Sequence, residues 1–522
     1  MSGSKTTEAG AAGKNGVLRM VIVIVAILLE VLAIVAIILW FDEYTHWIHI
    51  GTRIVALLIV LGIYSQHKTA SIKMTWIILV MVTPVLGLVL YLFIGLNGST
   101  RKMRRRFRAI DDRLLPLLRK KEAVCQDLAG TDPGAGNLSN YIFRFSGYPV
   151  YQNTKVEYYD EAAVGLEAQL ADLARAEDFI FMEYHAIEEK ESFRRIRDVL
   201  VDRVAHGVEV RLFYDDMGSI GFINTDFVKR MKDLGIRCRV FNPFSLGQNL
   251  FLNNRDHRKI TVVDGKVGFT GGYNLANEYF NIDAPYGYWK DTGVRLEGEA
   301  VASLTAAFLE MWNAAAEKEK EPEDEDFGRY LPEFKDVPQS RDYVQPYADG
   351  PMGSEHVGEN VYIGMAETAR KYAWFITPYL IVTEELIHAF GLASKRGVDI
   401  RIITPGIPDK KLVYHVTRSY YSALARNGIR IYEYTPGFCH CKMSVADDFM
   451  ATCGTINLDY RSLYHHFENG CWFCGGQTPL DIKADFERTM AQCTEVTEQY
   501  LSGRGQFLRF GQLLLRLIAP LL

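Results

Sequence analysis

Along the first hundred residues the apolar positions come in blocks rather than with a period. Residues 20–41, MVIVIVAILLEVLAIVAIILWF, are long enough to cross a bilayer, which takes about 20 apolar residues. They are too long, and lack the small-residue cleavage site, for a removable signal. Glu30 interrupts this block near its middle and needs a partner or a water path there. A weaker candidate, 46–65, is interrupted by Arg53. A stronger one, TWIILVMVTPVLGLVLYLFIGL (75–96), carries Pro84 and aromatic residues towards both ends. The pattern therefore predicts an N-terminal membrane region over 1–100 with two or three transmembrane helices. Two spans put the N-terminus inside, three put it outside. At the other end FLRFGQLLLRLIAPLL (507–522) is apolar with two arginines and too short to span. It predicts an amphipathic surface helix over 506–522.

Between 140 and 505 the pattern changes and repeats. A helical segment leads into an apolar strand at LARAEDFIFMEYH (173–185), and again at AETARKYAWFITPYLIV (366–382). A second helix then ends in glycine before a strand, at HGVEVRLFY (206–214) and RGVDIRIIT (396–404). A third does the same at LGIRCRVFNP (234–243) and NGIRIYEYTP (427–436). Glycine closing a helix, followed by a Val/Ile-rich run, is the mark of α/β units around a buried sheet. The expected fold is α/β: two duplicated αβα halves, 136–326 and 327–505, related by a pseudo-twofold axis. The acidic run EKEKEPEDEDF (317–327) marks the joint between them.

Each half closes on the same constellation. RDHRKITVVDGKVGFTGGYN (255–274) and FCHCKMSVADDFMATCGTIN (438–457) share H-x-K-x4-D-x6-G-[GT]-x-N. His257, Lys259, Asp264, Gly271, Gly272 and Asn274 correspond to His440, Lys442, Asp447, Gly454, Thr455 and Asn457. One H-x-K is noise; two full copies are not. If 438–446 is a strand, alternation places His440 and Lys442 on one face and Cys439 and Cys441 on the other. Asp264-Gly265 reads as a hairpin turn. The small-residue turns let backbone approach a ligand closely, and the two asparagines add donors.

Two imidazoles, two ammonium groups and two amides converging on one point suit a phosphate diester. Lysines neutralise its charge and stabilise the transition state. One imidazole attacks phosphorus to form a phosphohistidine, while the other protonates the departing alkoxide and deprotonates the incoming hydroxyl. Each imidazole needs a carboxylate to hold its tautomer; Asp291 in YWKD and Glu468 in HHFE are the candidates. Asp264 and Asp447, though part of the catalytic motif, are expected to anchor their turns and neighbouring basic groups. No metal or organic cofactor is required.

Charge and cysteine content narrow the rest. A net charge of −5 argues against a general nucleic-acid binder. Locally, 101–120 holds nine Lys/Arg against two Asp. That predicts a basic juxtamembrane linker over 101–135 on the cytoplasmic side, facing anionic lipid. Eight cysteines in 522 residues do not make a disulfide framework. Cys439, Cys441, Cys471 and Cys474 have a spacing open to zinc, but packing of small thiols behind the strand is the expectation.

The doubled motif resembles the phospholipase D superfamily over nearly the whole chain. NRDHRKITVVDGKVGFTGGYN (254–274), GTINLDYRSLYHHFE (454–468), TPYL (377–380), TPVLGLVLYLFIG (83–95) and RLIAPLL (516–522) narrow the likeness to bacterial phospholipase-D-type cardiolipin synthases. The resemblance implies that two phosphatidylglycerol molecules become cardiolipin and glycerol. It implies that His257 attacks and His440 serves as acid and base. A multi-pass protein of the bacterial plasma membrane follows, its catalytic body cytoplasmic and its partners phosphatidylglycerol and other anionic lipids. Neither a nucleic-acid partner nor an oligomeric state is indicated. A phosphatidylserine synthase-like transferase and a hydrolytic phospholipase D share the donor chemistry and remain alternatives.

Overall fold

The computed structural model describes residues 45–66, 69–92, 98–243, 254–315, 325–334, 340–501 and 510–521, with isolated positions 21, 25 and 32. The predicted span at 20–41, with Glu30, and most of the 317–327 joint lie outside the described residues.

The first half is built on seven strands: β1 (Thr154–Tyr159), β2 (Phe179–Tyr184), β3 (Glu209–Asp215), β4 (Arg237–Phe241), β5 (Lys259–Val263), β6 (Val267–Gly271) and β7 (Gly293–Gly298). They form one sheet in the order β1-β7-β6-β5-β2-β3-β4. The second half supplies β8 (Tyr343–Asp349), β9 (Tyr372–Ile376), β10 (Leu380–Ile381), β11 (Asp399–Pro405), β12 (Arg430–Tyr434), β13 (Met443–Ala446), β14 (Met450–Gly454), β15 (Leu458–Asp459), β16 (Glu468–Cys474) and β17 (Cys493–Glu495). Its large sheet runs β17-β12-β11-β9-β13-β14-β16-β8, and β10 pairs separately with β15. Read from β8, this is the first sheet's order again with β17 added at the far edge. In both sheets the three strands fed by helices are parallel and the motif hairpin is antiparallel. The duplication visible in the chain is thus a duplication of topology.

The strand sequences explain the layering. FIFMEY in β2 and YAWFI in β9 are buried at every position, as expected of strands covered on both faces. Gly207, Gly235, Gly397 and Gly428 take positive φ just past the helices that feed β3, β4, β11 and β12. One apolar core runs through both halves and includes the helix Val301–Ala314, Phe181 and Trp472. A second covers the other face of the first sheet around Phe193, Ile196 and Leu200.

The structure adds detail to three segments at the membrane end. The 75–96 block is not one helix: it is helix Ala70–Val82 followed by helix Pro84–Leu90, broken at Thr83. Proline at the start of the second helix cannot donate to the first, and Gly87 then lies against the backbone of Leu79 and Val80. Residues eight apart in a straight helix are about 12 Å apart, so the chain has folded back. Among the described residues no helix is long and apolar enough to cross a membrane. Helix Thr45–Tyr64 completes a bundle with this hairpin around Ala56, Ile63, Trp76, Val80 and Leu88, closed by Tyr460 of the second half.

The basic 101–135 stretch is packed on the body. Helix Gly98–Leu114 buries Phe107, whose ring stacks on Phe467 at 4.9 Å. The C-terminal helix Phe510–Ile518 docks on protein: Leu517 O accepts from Thr75 Oγ1 at 2.8 Å, and Arg516 lies over Tyr420 and 3.5 Å from Glu384.

Candidate active site

Both motif histidines sit just before a strand: Lys259 opens β5, whereas Lys442 still precedes β13. β13 starts at Met443, so the expected strand over 438–446 is shorter than its pattern suggested. What straightens the chain ahead of it is the opposite half. His440 N donates to Lys290 O (2.8 Å), and Lys290 N to Phe438 O (3.0 Å). Symmetrically, His257 N donates to Phe467 O (2.8 Å), and Phe467 N to Arg255 O (2.9 Å).

This exchange delivers the carboxylates. Asp291 follows Lys290, and its Oδ2 lies 2.7 Å from His440 Nδ1. Glu468 follows Phe467, and its Oε2 lies 2.9 Å from His257 Nδ1. Each motif histidine is therefore oriented by a carboxylate from the other half. Both pairs are buried. Lys259 Nζ donates to His257 O at 2.6 Å, and Lys442 Nζ donates to His440 O and lies 3.0 Å from His440 Nε2.

Burial first, then the charges of Lys259 and Lys442, hold both imidazoles well below their ordinary pKa. The same two lysines act on both rings, and His440 adds to the lowering at His257, so the charges of the two motifs are felt across the halves. Both rings are neutral near pH 7 and have a lone pair to offer. Burial also lowers Lys259 to about 7 despite Glu468, and lowers Lys442. Asp291 is pushed up to about 7 by burial, opposed by Lys442. The His440–Asp291 pair can thus hold one proton near neutrality.

The remaining motif residues build rather than react. Asp264, at φ 52°, accepts from the backbone N–H groups of Glu177, Asp178 and Phe179; Asp447, at φ 54°, accepts from Arg370, Lys371 and Tyr372. They anchor their turns, as expected, but onto backbone amides rather than basic side chains, and away from the histidines. Asn274 accepts from Ala186 N and donates one N–H to Tyr279 Oη. Asn457 donates to Asp459. These bonds orient both amides, and Asn457 Oδ1 has no hydrogen-bond partner among the described residues.

The glycines make room. A Cβ on Gly271 would meet Thr292 O at 2.4 Å, and one on Gly454 would meet Asn469 O at 2.6 Å. A Cβ on Gly272 would meet Asp291 Oδ1 at 2.0 Å. Thr455, at the matching place, instead donates its hydroxyl to Glu468. Cys439, Cys441, Cys471 and Cys474 are free and buried in the core.

Sequence reasoning missed the lining. His185, at the end of β2, has Nδ1 2.6 Å from Asp256 O and its ring 5.0 Å from that of His257. His466 lies 5.4 Å from His257. Tyr279 and Trp289 each lie 5.3 Å from His440, with Phe438 at 5.8 Å. Only the adjacency of His466 to Glu468 gave a signal in the chain.

Two imidazoles, each held by a carboxylate and flanked by lysines, are a set able to transfer a phosphoryl group through a covalent intermediate. Comparison with known proteins agrees. The family described as "Cardiolipin synthase, PLD-like domain" matches residues 170–312 and 362–490, and "Phospholipase_D-nuclease N-terminal" matches 53–95. Cardiolipin synthase 1 of Staphylococcus aureus is 31% identical over 90% of this chain and 95% of its own length. An uncharacterized protein of Streptococcus mutans is 41% identical over 88% of this chain and 98% of its own. The crystal structure of phosphatidylserine synthase from Haemophilus influenzae covers 74% of this chain and 97% of its own at TM-score 0.55 and 15% identity, a likeness of fold. The chain is a phosphatidyltransferase of the phospholipase D type. It belongs to the cardiolipin synthase family.

Proposed function

We propose that this protein joins two phosphatidylglycerol molecules into cardiolipin, with His257 as nucleophile. His257 Nε2 attacks the phosphorus of the first molecule. The bond to its headgroup glycerol breaks, and His440 gives that alkoxide a proton. The hydroxyl of the second molecule then attacks, His440 takes its proton, and the phosphorus–nitrogen bond breaks. Lys259 and Lys442 hold the phosphate oxygens. Glu468 supports the phosphorylated ring, and Asp291 keeps His440 in the tautomer that shuttles the proton.

The single observation carrying this reading is the crossed pairing, His257 with Glu468 and His440 with Asp291, around shared lysines. It supplies two separately oriented imidazoles at the junction of the halves, as a two-step displacement needs.

The domain reading that fits places 45–92 as a lipid-embedded bundle before a two-half body spanning 136–326 and 327–505. The outer face of helix Thr45–Tyr64 exposes Ile54, Val55, Leu57, Leu58 and Leu61, and the hairpin exposes Met74, Met81 and Val82. A contiguous apolar surface of this kind fits the plasma membrane. The basic residues of helix Gly98–Leu114 fit its anionic headgroups on the cytoplasmic side. The C-terminal helix would lie at the same surface.

The test is product analysis with purified protein and labelled phosphatidylglycerol. Cardiolipin and glycerol in equal amounts are expected. Phosphatidic acid alone, or transfer only to added serine, would overturn the acceptor assignment.

A further inference from the structure

The two motif histidines differ in what stands behind their carboxylates. Asp291 and His440 are walled by Tyr279, Trp289 and Phe438, and among the described residues no third ligating side chain joins them. Glu468 and His257 have His466. Its ring is 8% exposed, and neither nitrogen has a hydrogen-bond partner among the described residues. Nδ1 lies 3.5 Å from Glu468 Oε1, an oxygen that is also buried and unbonded. One atom each from His257, His466 and Glu468 falls within 4.8 Å of the others.

A polar group this deep normally has its partner. Here an imidazole and a carboxylate oxygen meet only at a long 3.5 Å, beside a second imidazole, in the His/His/carboxylate set that zinc takes with a fourth position left open. Zinc bonds of about 2.1 Å in a tetrahedron separate ligand atoms by about 3.4 Å. His257 Nδ1 and Glu468 Oε2 are 2.9 Å apart, and His466 Nδ1 and Glu468 Oε1 are 3.5 Å apart. The two distances, each to a different oxygen of the one carboxylate, fall on either side of that spacing, and small side-chain shifts within the 4.8 Å cluster would close the set on an ion.

We propose that His257, His466 and Glu468 form an inhibitory site for a zinc-class dication, present in one half only. A metal on His257 Nδ1 moves the ring proton to Nε2. The lone pair that attacks phosphorus is then gone, and Glu468 is occupied. No bond to substrate changes; metal and phosphatidyl group compete for one imidazole. The inhibitory consequence rests on His257 being the nucleophile, whereas the binding site does not.

The experiment uses the full chain in detergent, stripped with chelator, titrated with zinc alone against a chromophoric chelator, and assayed in parallel for cardiolipin formation. One zinc per chain is expected, with activity falling as the site fills. In His466→Asn both the dissociation constant and the inhibitory concentration should rise together by roughly tenfold or more. Unchanged zinc affinity in that variant, or no stoichiometric binding, overturns the site. Full binding without inhibition overturns the competition with His257. A chain that binds zinc as described but forms no cardiolipin retains the site and loses the functional reading instead. Should His466→Asn not fold, cobalt bound to the unmodified chain decides: bands of a four-coordinate nitrogen/oxygen site support it, and a thiolate charge-transfer band places the metal on cysteine and overturns it.

Discussion

The two halves share strand order, turn geometry and motif spacing, yet their histidines live in different surroundings. His257 stands among imidazoles, with His185 and His466 beside it and Thr455 bonded to its carboxylate. His440 stands among aromatic rings, with Gly272 leaving space for Asp291. The sheets were kept after duplication while the pocket walls diverged. A polar wall suits a ring that must carry a phosphoryl group and an added charge; an aromatic wall suits one that only passes a proton. The difference teaches that two sequence-equivalent histidines acquire unlike surroundings from what the rest of the chain packs against them, and the roles proposed for them follow that difference.

The crossed carboxylates carry the largest expected effect. Glu468→Gln and Asp291→Asn should each lower kcat by about 10²–10⁴-fold, as loss of the correct tautomer does elsewhere. Imidazole NMR of the two variants sharpens the comparison. Glu468→Gln should move the Nδ1–H signal of His257 and leave that of His440, and Asp291→Asn should do the reverse. Signals moving within the same half would break the crossed arrangement.

An intermediate effect is expected with pH. Lys259 and Asp291 both titrate at about 7. As pH rises through that value, one loses its positive charge and the other its proton, so kcat/KM should fall up to about tenfold per unit. On the acid side both histidines are held well below 6.5. Their lone pairs therefore persist, and no loss should centre at 6.5. A profile rising through 6.5 to a plateau above 8 would contradict these environments.

The smallest effect separates anchors from reacting groups. Asp264→Ala should cost about 1–3 kcal/mol of stability, because it strands backbone N–H groups that include the buried one of Phe179. Asp447→Ala should cost less, since two of its three donors are exposed. Thermal unfolding reads both, with kcat per folded molecule unchanged within a few-fold. A large fall in kcat without a loss of stability would return these aspartates to the chemistry.

Much of this was legible in the chain because duplication doubles every signal. Strand order, helix-closing glycines and the H-x-K sets each appear twice, so coincidence is quickly excluded. Asp291 and Glu468 were recognisable as carboxylates just past the motifs. That each serves the opposite half was not, because exchange between halves leaves no periodicity. His185 carries no mark beyond ending a strand. The 75–96 block looked continuous because hydropathy records burial in apolar surroundings and not the direction of the chain; one proline and a glycine turned it back. Helix Gly98–Leu114 reads as a basic surface, and the single Phe107 that docks it on Phe467 is hidden among arginines.

The most direct test of the account is to find where the phosphatidyl group sits. The His440→Ala protein is mixed with a labelled lipid phosphodiester whose leaving group needs no proton, then quenched and mapped by mass spectrometry. The account predicts a phosphatidyl adduct on His257 that accumulates because its removal lacks a base. An adduct on His440 in the unmodified protein, or persistence of adduct in His257→Ala, would contradict it.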